Sequence, residues 1–469
     1  MHKKGKSLRL DKTLTTEPRG GFGEELGIIS SFGGQIALSQ LVQYLIILTD
    51  IVMMARLGEV SFAAGLLINS LYVVIYVTSF GLLQGMLPIA SRAAATEDNM
   101  VFSHTIRTGL QIAMFASLIL AIMVFSFAVM LKPLGYEDAV ANQAFAYALY
   151  ILPGYALSIL LIGLRNILIA LGQTQFFSVI TILAALLNAG LNAVFAFGVL
   201  GGPELGLAGI GLATTVVDTI LLGVFVLLVR CAIRGRYAPD KQPLETPFRI
   251  IFQIGVPTAL IFFIETSMFS GMLFIVGRND TAFLVVLGWI FQYEAMAIMV
   301  PVGLSQAAVQ RASVAAASGA GAARRVSTMT QASLLIVALY IIVLAIAQFG
   351  FQLNFPRLLI VGTPLDASLL AALDTTQGYA FAIIFFHAFV IVIAGILRGL
   401  EDVRSSLWII LVCYWGAGLG PGIALIEFGG YGAELSVTIV TSAMLLSFLS
   451  IMFKLNSVLR QLKTGQVKD

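Results

Sequence analysis

Twelve windows of roughly twenty or more mostly apolar residues follow one another along this 469-residue chain, and each is long enough to cross a bilayer as a helix. They fall at 27–55, 60–91, 108–131, 142–163, 175–199, 207–230, 250–276, 281–310, 327–349, 376–397, 405–427 and 431–453. With 59% hydrophobic and only 11% charged residues, no water-soluble fold of this size can bury the apolar surface. The expected class is an all-α polytopic membrane protein of twelve transmembrane helices.

Lysine and arginine set the expected orientation. With the N-terminus inside, all of the 27 basic residues except Arg56, Lys132, Arg278 and Arg357 fall on cytoplasmic segments. Arg165, Arg311 and Arg398 are counted there as loop residues, which leaves no lysine or arginine expected inside the spans. Both termini are therefore expected in the cytoplasm, and the chain in the inner membrane. The first twenty residues are polar and basic and hold no short apolar core of a cleavable signal. Cys231 and Cys413 lie far apart in apolar segments and suit neither a disulfide framework nor a zinc site.

A shift of 222 positions lays part of the first half on the second. Gly33, Ala37, Leu38 and Arg56 fall on Gly255, Ala259, Leu260 and Arg278, and Gly81, Leu82 and Gln84 fall on Gly303, Leu304 and Gln306. Each copy carries six spans, an even number, so the copies insert in the same direction. The expectation is two six-helix lobes related by a pseudo-twofold along the membrane normal. Their borders read as a basic arm over 1–26, an N-lobe over 27–230, a linker over 231–249, a C-lobe over 250–453 and a tail over 454–469.

Ionisable groups within spans are costly and mark function by default. Asp50 interrupts "IILTDIVMMARLG", six residues before the end of span 1 at Arg56. Asn188 and Asn192 stand at i and i+4 of span 5, on one face, at a depth similar to that of Asp50. The three together form a candidate polar pocket; a fixed interhelical hydrogen bond is the other reading. In the second half Glu265, Glu294 and His387 fall near midspan on spans 7, 8 and 10. A histidine–carboxylate pair at one depth suits a proton relay or a cation site; a packing histidine is the alternative. Asp218, midway along span 6, has no partner evident in the sequence.

The sequence resembles the multidrug and toxic compound extrusion (MATE) family over residues 27 to 455. The likeness is carried by "TDIVMMARLG", "LNAGLNAVFAFGVLGGPELGLAGIGLAT", "ETSMF" and "GILRGLEDVRSS". It implies a twelve-span antiporter exporting cationic or amphiphilic compounds against inward H⁺ or Na⁺. It also implies that Asp50 is the span-1 acid of the N-lobe, with Asn188 and Asn192 as neighbours, and Glu265 the span-7 acid. The chain departs from that pattern in three places. Relatives with the span-7 acid commonly carry an aspartate where His387 stands and a tyrosine where Ile383 stands, and Gln35 replaces a frequent span-1 proline. Histidine prefers protons while hard Na⁺ prefers oxygen, so H⁺ is the expected coupling ion, with Na⁺ at Glu265 the alternative.

The resulting expectation is a monomeric multidrug efflux antiporter working by alternating access, without a cofactor, nucleic-acid partner or enzymatic activity. Asp50, Glu265 and His387 are its expected cation-coupling residues, and Glu294 and Asp218 are further candidates. A lipid-linked oligosaccharide flippase is the alternative. It calls for a strongly cationic cleft to hold pyrophosphate, which the expected absence of basic residues in the spans disfavours.

Overall fold

The computed structural model describes residues 21–234, 245–317, 321–351 and 367–464. The basic arm before Gly21, most of the linker between the halves and the last residues of the tail lie outside them. Twelve helices among the described residues are long and apolar enough to cross a membrane. They are α1 (Phe22–Arg56), α2 (Glu59–Ala95), α3 (Asn99–Met130), α4 (Asp138–Ala170), α5 (Phe177–Phe197) and α6 (Leu207–Ala232). The second half adds α7 (Phe248–Asn279), α8 (Phe283–Ala316), α9 (Ala322–Gly350), α10 (Ala371–Gly399), α11 (Val403–Phe428) and α12 (Leu435–Thr464). Every apolar window of the sequence has become one of these helices. In an apolar solvent the helix satisfies each backbone group within its own segment.

Polar residues punctuate the helices where their backbone donors would otherwise be open. Asp98 caps α3 by accepting from the Val101 amide at 3.0 Å, and Asp280 accepts from the Phe283 amide at 2.9 Å before α8. Both satisfy a first-turn donor that no helical carbonyl reaches. Gly198 ends α5 in the left-handed region at φ 68°, which a side chain would disfavour.

Packing divides the chain into two compact units. One takes Leu38–Ala259; the other takes the described residues from Leu260 onward together with those up to Ala37. α1 and α7 thus each contribute to both units, the first part of each belonging to one and the remainder to the other. Close helix approach makes this division. In the second unit a Cβ placed on Gly303 would lie 2.3 Å from the Ala37 Cα, and one on Gly33 would lie 3.1 Å from Leu304. In the first unit a Cβ on Gly255 would lie 2.3 Å from the Leu82 carbonyl oxygen. The 222 shift carries Gly33 with Leu304 onto Gly255 with Leu82, so the repeat appears in the packing as well as in the sequence.

The start of α1 is held in the second unit by an ion pair. Glu25 and Arg311 are 2% and 1% exposed, and the Arg311 Nε donates to Glu25 Oε2 at 3.3 Å, with a second contact through Nη2. A π-helical turn at Ile29–Gly33 follows, before regular α-helix resumes at Gly34. Such turns insert a residue into the helical ladder and change the helix direction locally.

The placing of basic residues on loops requires a correction: several of them, Arg92 and Arg107 included, lie within the ends of helices. Arg165, Arg311 and Arg398 are not loop residues: they lie within α4, α8 and α10, with Arg311 and Arg398 buried. Each falls near a helix end, where counting by sequence cannot separate a loop from a last turn. The cysteines also differ from each other, Cys413 being buried and Cys231 exposed.

Candidate functional site

Each unit carries its own polar cluster. In the first, α1 brings Asp50 against α5 and α6. The Asn192 Nδ2 donates to Asp50 Oδ1 at 2.6 Å and to Asn188 Oδ1 at 3.2 Å. The i, i+4 spacing of the two asparagines lets one amide group reach both acceptors. Thr214 on α6, which sequence reasoning had not singled out, lies 3.3 Å from Asp50 Oδ2 and 3.1 Å from the Ile210 carbonyl oxygen. Its hydroxyl has one proton for those two acceptors. An ionised Asp50 draws that proton; a protonated Asp50 can instead donate to the Thr214 oxygen while the hydroxyl turns to Ile210. The carboxyl group is thus hydrogen-bonded in both states. Asp50 is 8% exposed and Asn192 fully buried, and both groups bonded to Asp50, Asn192 and Thr214, are neutral.

Behind Asp50 stands an aromatic wall. The Tyr147 hydroxyl donates to Asn69 Oδ1 at 3.3 Å, and Tyr155 donates to the same oxygen. Tyr72 stacks on Tyr155 with ring centroids 3.5 Å apart and lies 5.3 Å from Tyr76. Asp218 is half-buried on α6 and makes no hydrogen bond with Asp50, Asn188 or Asn192 among the described residues. It lies in the field of Asp50 nonetheless, and shares its surroundings with Tyr72 and Tyr76.

The same unit contains a cation that the sequence reading had placed elsewhere. The Arg165 Nη1 donates to Gln43 Oε1 at 2.7 Å, and its Nη2 reaches Ser39 Oγ at 3.0 Å and Gln40 Oε1 at 3.1 Å. Its guanidinium carbon lies 5.4 Å from the centre of the Phe177 ring. A signal was present in the sequence: Tyr155, Ser158 and Arg165 fall on one stripe of a helix, as do Ser39, Gln40 and Gln43.

In the second unit α7, α8 and α10 bring Glu265, Glu294 and His387 together. The His387 Nδ1 lies 2.5 Å from Glu294 Oε1, and its Nε2 lies 3.8 Å from Glu265 Oε1. The first is a hydrogen bond; the second is within ion-pair reach but too long for one. All three are buried, at 8%, 3% and 2% exposure for Glu265, Glu294 and His387. Phe269 and Tyr414 flank the imidazole at ring-centroid distances of 5.9 Å and 6.2 Å. Two carboxylates and one imidazole can carry a net charge of −1 or −2, or none when one carboxyl is also protonated.

The two clusters do not occupy equivalent places in the repeat. α2 and α8 correspond through the 222 shift, and α4 and α10 through a shift of 229, which lays Asn166 facing Leu83 onto Gly395 facing Ser305. Glu294 then matches Tyr72, His387 matches Ser158, and Glu265 matches Gln43. The Tyr72 and Ser158 hydroxyls are hydrogen-bonded at 3.0 Å, so the same place holds a neutral bond in one unit and an ionisable one in the other.

A MatE family model matches residues 36–194 and 257–422. A relative from Mesorhizobium japonicum, named "Probable multidrug resistance protein NorM", is 28% identical over 88% of this chain and 90% of its own length. A protein of the same name from Bradyrhizobium diazoefficiens is also 28% identical, over 84% and 85% of the two chains. Among solved structures, an outward-facing multidrug resistance MATE family transporter of the MOP superfamily superposes with a TM-score of 0.82. It covers 99% of this chain and 100% of its own at 15% identity. The eukaryotic MATE transporter AtDTX14 gives 0.77, with 94% and 99% covered at 17% identity.

Proposed function

Because the chain belongs to the MatE family, we propose that it is a multidrug efflux antiporter of the inner membrane, exporting amphiphilic or cationic compounds against inward H⁺. The observation that carries this reading is Asp50: a nearly buried carboxyl group held by the neutral donors Asn192 and Thr214. A carboxylate locked to an arginine would have little reason to change protonation. One held by a hydroxyl that can reverse its role has partners in both states.

In the proposed cycle the site is loaded with substrate from the cytoplasm or inner leaflet while Asp50 is ionised. After the lobes turn outward, a proton from outside neutralises Asp50, which removes the attraction for a cationic substrate and releases it. Coupling of this kind is reciprocal: whatever the proton does to substrate affinity, the substrate does to proton affinity. The His387–Glu294–Glu265 group is the second candidate for proton uptake. An imidazole is a good proton acceptor and a poor ligand for hard Na⁺, which favours H⁺ over Na⁺. The proposal keeps both termini cytoplasmic and the transporter monomeric.

The flippase alternative no longer fails for want of basic residues in the spans. It lacks support on another ground: Arg311 is neutralised by Glu25, and Arg165 and Arg398 are single guanidiniums belonging to different units, where a pyrophosphate calls for a cluster of cations.

The test is efflux of ethidium from proteoliposomes with ΔpH and a Na⁺ gradient imposed separately. Efflux driven by ΔpH alone supports the reading. Efflux driven by Na⁺ alone replaces the coupling ion, and no efflux under either gradient overturns the antiporter assignment.

A further inference from the structure

Asp218 is an acid of the first unit that the proposed cycle leaves unused. It stands half-buried on α6, and among the described residues no hydrogen bond or ion pair engages its carboxyl group. Four residues earlier on the same helix is Thr214, whose hydroxyl lies 3.3 Å from Asp50 Oδ2. Residues at i and i+4 share a helix face, with Cβ atoms about 5–6 Å apart. Asp218 therefore occupies the next turn of the face that meets Asp50, and it lies in the field of that acid.

Depth separates the two carboxyl groups. α1 ends at Arg56, six residues beyond Asp50, and α6 begins at Leu207, eleven residues before Asp218. Four spans lie between those helix ends, an even number, so both ends belong to one side of the membrane. At 1.5 Å per residue Asp218 is about 7 Å farther from that side than Asp50. In the proposed orientation that side is the outside, and Asp218 is the inner of the two acids.

The groups around Asp218 decide what it can exchange with. α1 offers Asp50, α2 offers Tyr72 and Tyr76, and α4 offers Tyr155; α5 carries no titratable side chain. The Tyr72 hydroxyl is engaged with Ser158 at 3.0 Å. Tyr76 accepts from Gln43, which in turn accepts from Arg165 on α4. The guanidinium is a fixed positive charge at the far end of this row. A proton moving inward from Asp50 thus meets an acceptor at Asp218 and a repelling cation beyond it.

We propose that Asp218 is the second proton station of the first unit, taking the proton from Asp50 and holding it until the unit opens to the cytoplasm. In this step the Asp50 O–H bond breaks and an O–H bond forms on Asp218. Asp50 is left ionised, and the net charge of the pair is unchanged. The proton crosses through the Thr214 hydroxyl or a single water. Carboxyl groups in each other's field share protons as a pair rather than titrate independently. The inference deepens the antiport reading and rests on it: Asp50 governs substrate release outside, and Asp218 governs proton release inside.

Three measurements on the purified full chain separate these roles, with ethidium as the probe. They are binding in detergent read by fluorescence anisotropy, release of bound ethidium on acidification, and ΔpH-driven efflux from proteoliposomes. For Asp218→Asn the affinity should stay within about twofold and acid-induced release should persist, while efflux falls by about tenfold or more. Asp50→Asn should lose release and efflux together. Asp218→Glu keeps a titrating group and should recover efflux to within about threefold of the unaltered protein. Asp218→Ser replaces the amide variant if that one does not fold.

Unchanged efflux in Asp218→Asn would overturn the inference alone. A loss of ethidium affinity matching the loss of efflux would make Asp218 a substrate ligand, and loss of acid-induced release would place it at the same step as Asp50. Either result overturns the hand-over, as does failure of Asp218→Glu to recover efflux, which would make the position one of packing. Absence of ΔpH-driven efflux in the unaltered protein would overturn the antiport reading and this inference with it.

Discussion

Glu294 on α8 and His387 on α10 are joined by a 2.5 Å hydrogen bond from which solvent is excluded. Both side chains are buried, and Glu265 lies 3.8 Å from the other ring nitrogen. Breaking a buried ionic pair by removing one member leaves the other uncompensated, which costs about 3–5 kcal/mol. Glu294→Leu or His387→Leu alone should each lower the thermal midpoint in detergent markedly. The double variant should recover much of the loss, giving a coupling energy above about 1 kcal/mol in a double-mutant cycle. Simple additivity of the two would show that the pair contributes nothing as a pair.

Asp50→Asn retains the shape of the side chain and removes the titrating group. On the proposed cycle, ΔpH-driven efflux in proteoliposomes should fall by about tenfold or more, with the unfolding midpoint close to that of the unaltered protein. Thr214→Val should reduce efflux less, since Asn192 still holds the carboxylate. Unchanged efflux in Asp50→Asn would remove Asp50 from coupling.

Gly303 tests the packing that assigns the first part of α1 to the second unit. A Cβ there would fall 2.3 Å from the Ala37 Cα, backbone that cannot swing aside. Gly303→Ala should therefore cost about 1–3 kcal/mol. Gly288 lies on the same helix with nothing within 4 Å of an added Cβ, so Gly288→Ala should stabilise by up to about 1 kcal/mol. Thermal melts of the two variants side by side give the comparison, and equal effects would dissolve the argument from close approach.

Outside the spans, Asp402 shows a pH effect whose sign can be worked out. Burial pushes its carboxyl group up, but hydrogen bonds and charge from Lys454, with Ser405, outweigh that and hold it below the usual carboxylate range. A folded pKa below the unfolded one adds stability above the unfolded value, and that stability is lost as pH falls through the folded value. Lys454→Met should then cost about 0.2–1 kcal/mol at neutral pH, with the difference from the parent shrinking below about pH 4. Melting curves across that range read it out; a difference that grows toward acid would reverse the assignment.

The likeness between sequence and structure is uneven for definite reasons. The spans were legible because an apolar stretch of bilayer length has one stable conformation in lipid. Asp50, Asn188 and Asn192 were legible as neighbours because span direction converts residue number into depth, and an i, i+4 pair shares a face. Thr214 was not, since a threonine in an apolar helix ordinarily bonds its own backbone. Arg165 was misplaced because a count of basic residues treats an arginine in the last turn of a span as part of the loop beyond it.

By itself, then, the sequence determined twelve membrane helices, an internal duplication and which spans carry acidic groups. These follow from local hydropathy and period, which need no knowledge of neighbours. The tertiary structure alone decided that His387 meets Glu294, that Thr214 completes the Asp50 site, and that Arg165 turns inward among neutral acceptors. Those depend on how each helix is rotated about its axis and how closely its glycines let a neighbour approach. Rotation and approach are set by packing between helices, and no single segment encodes them.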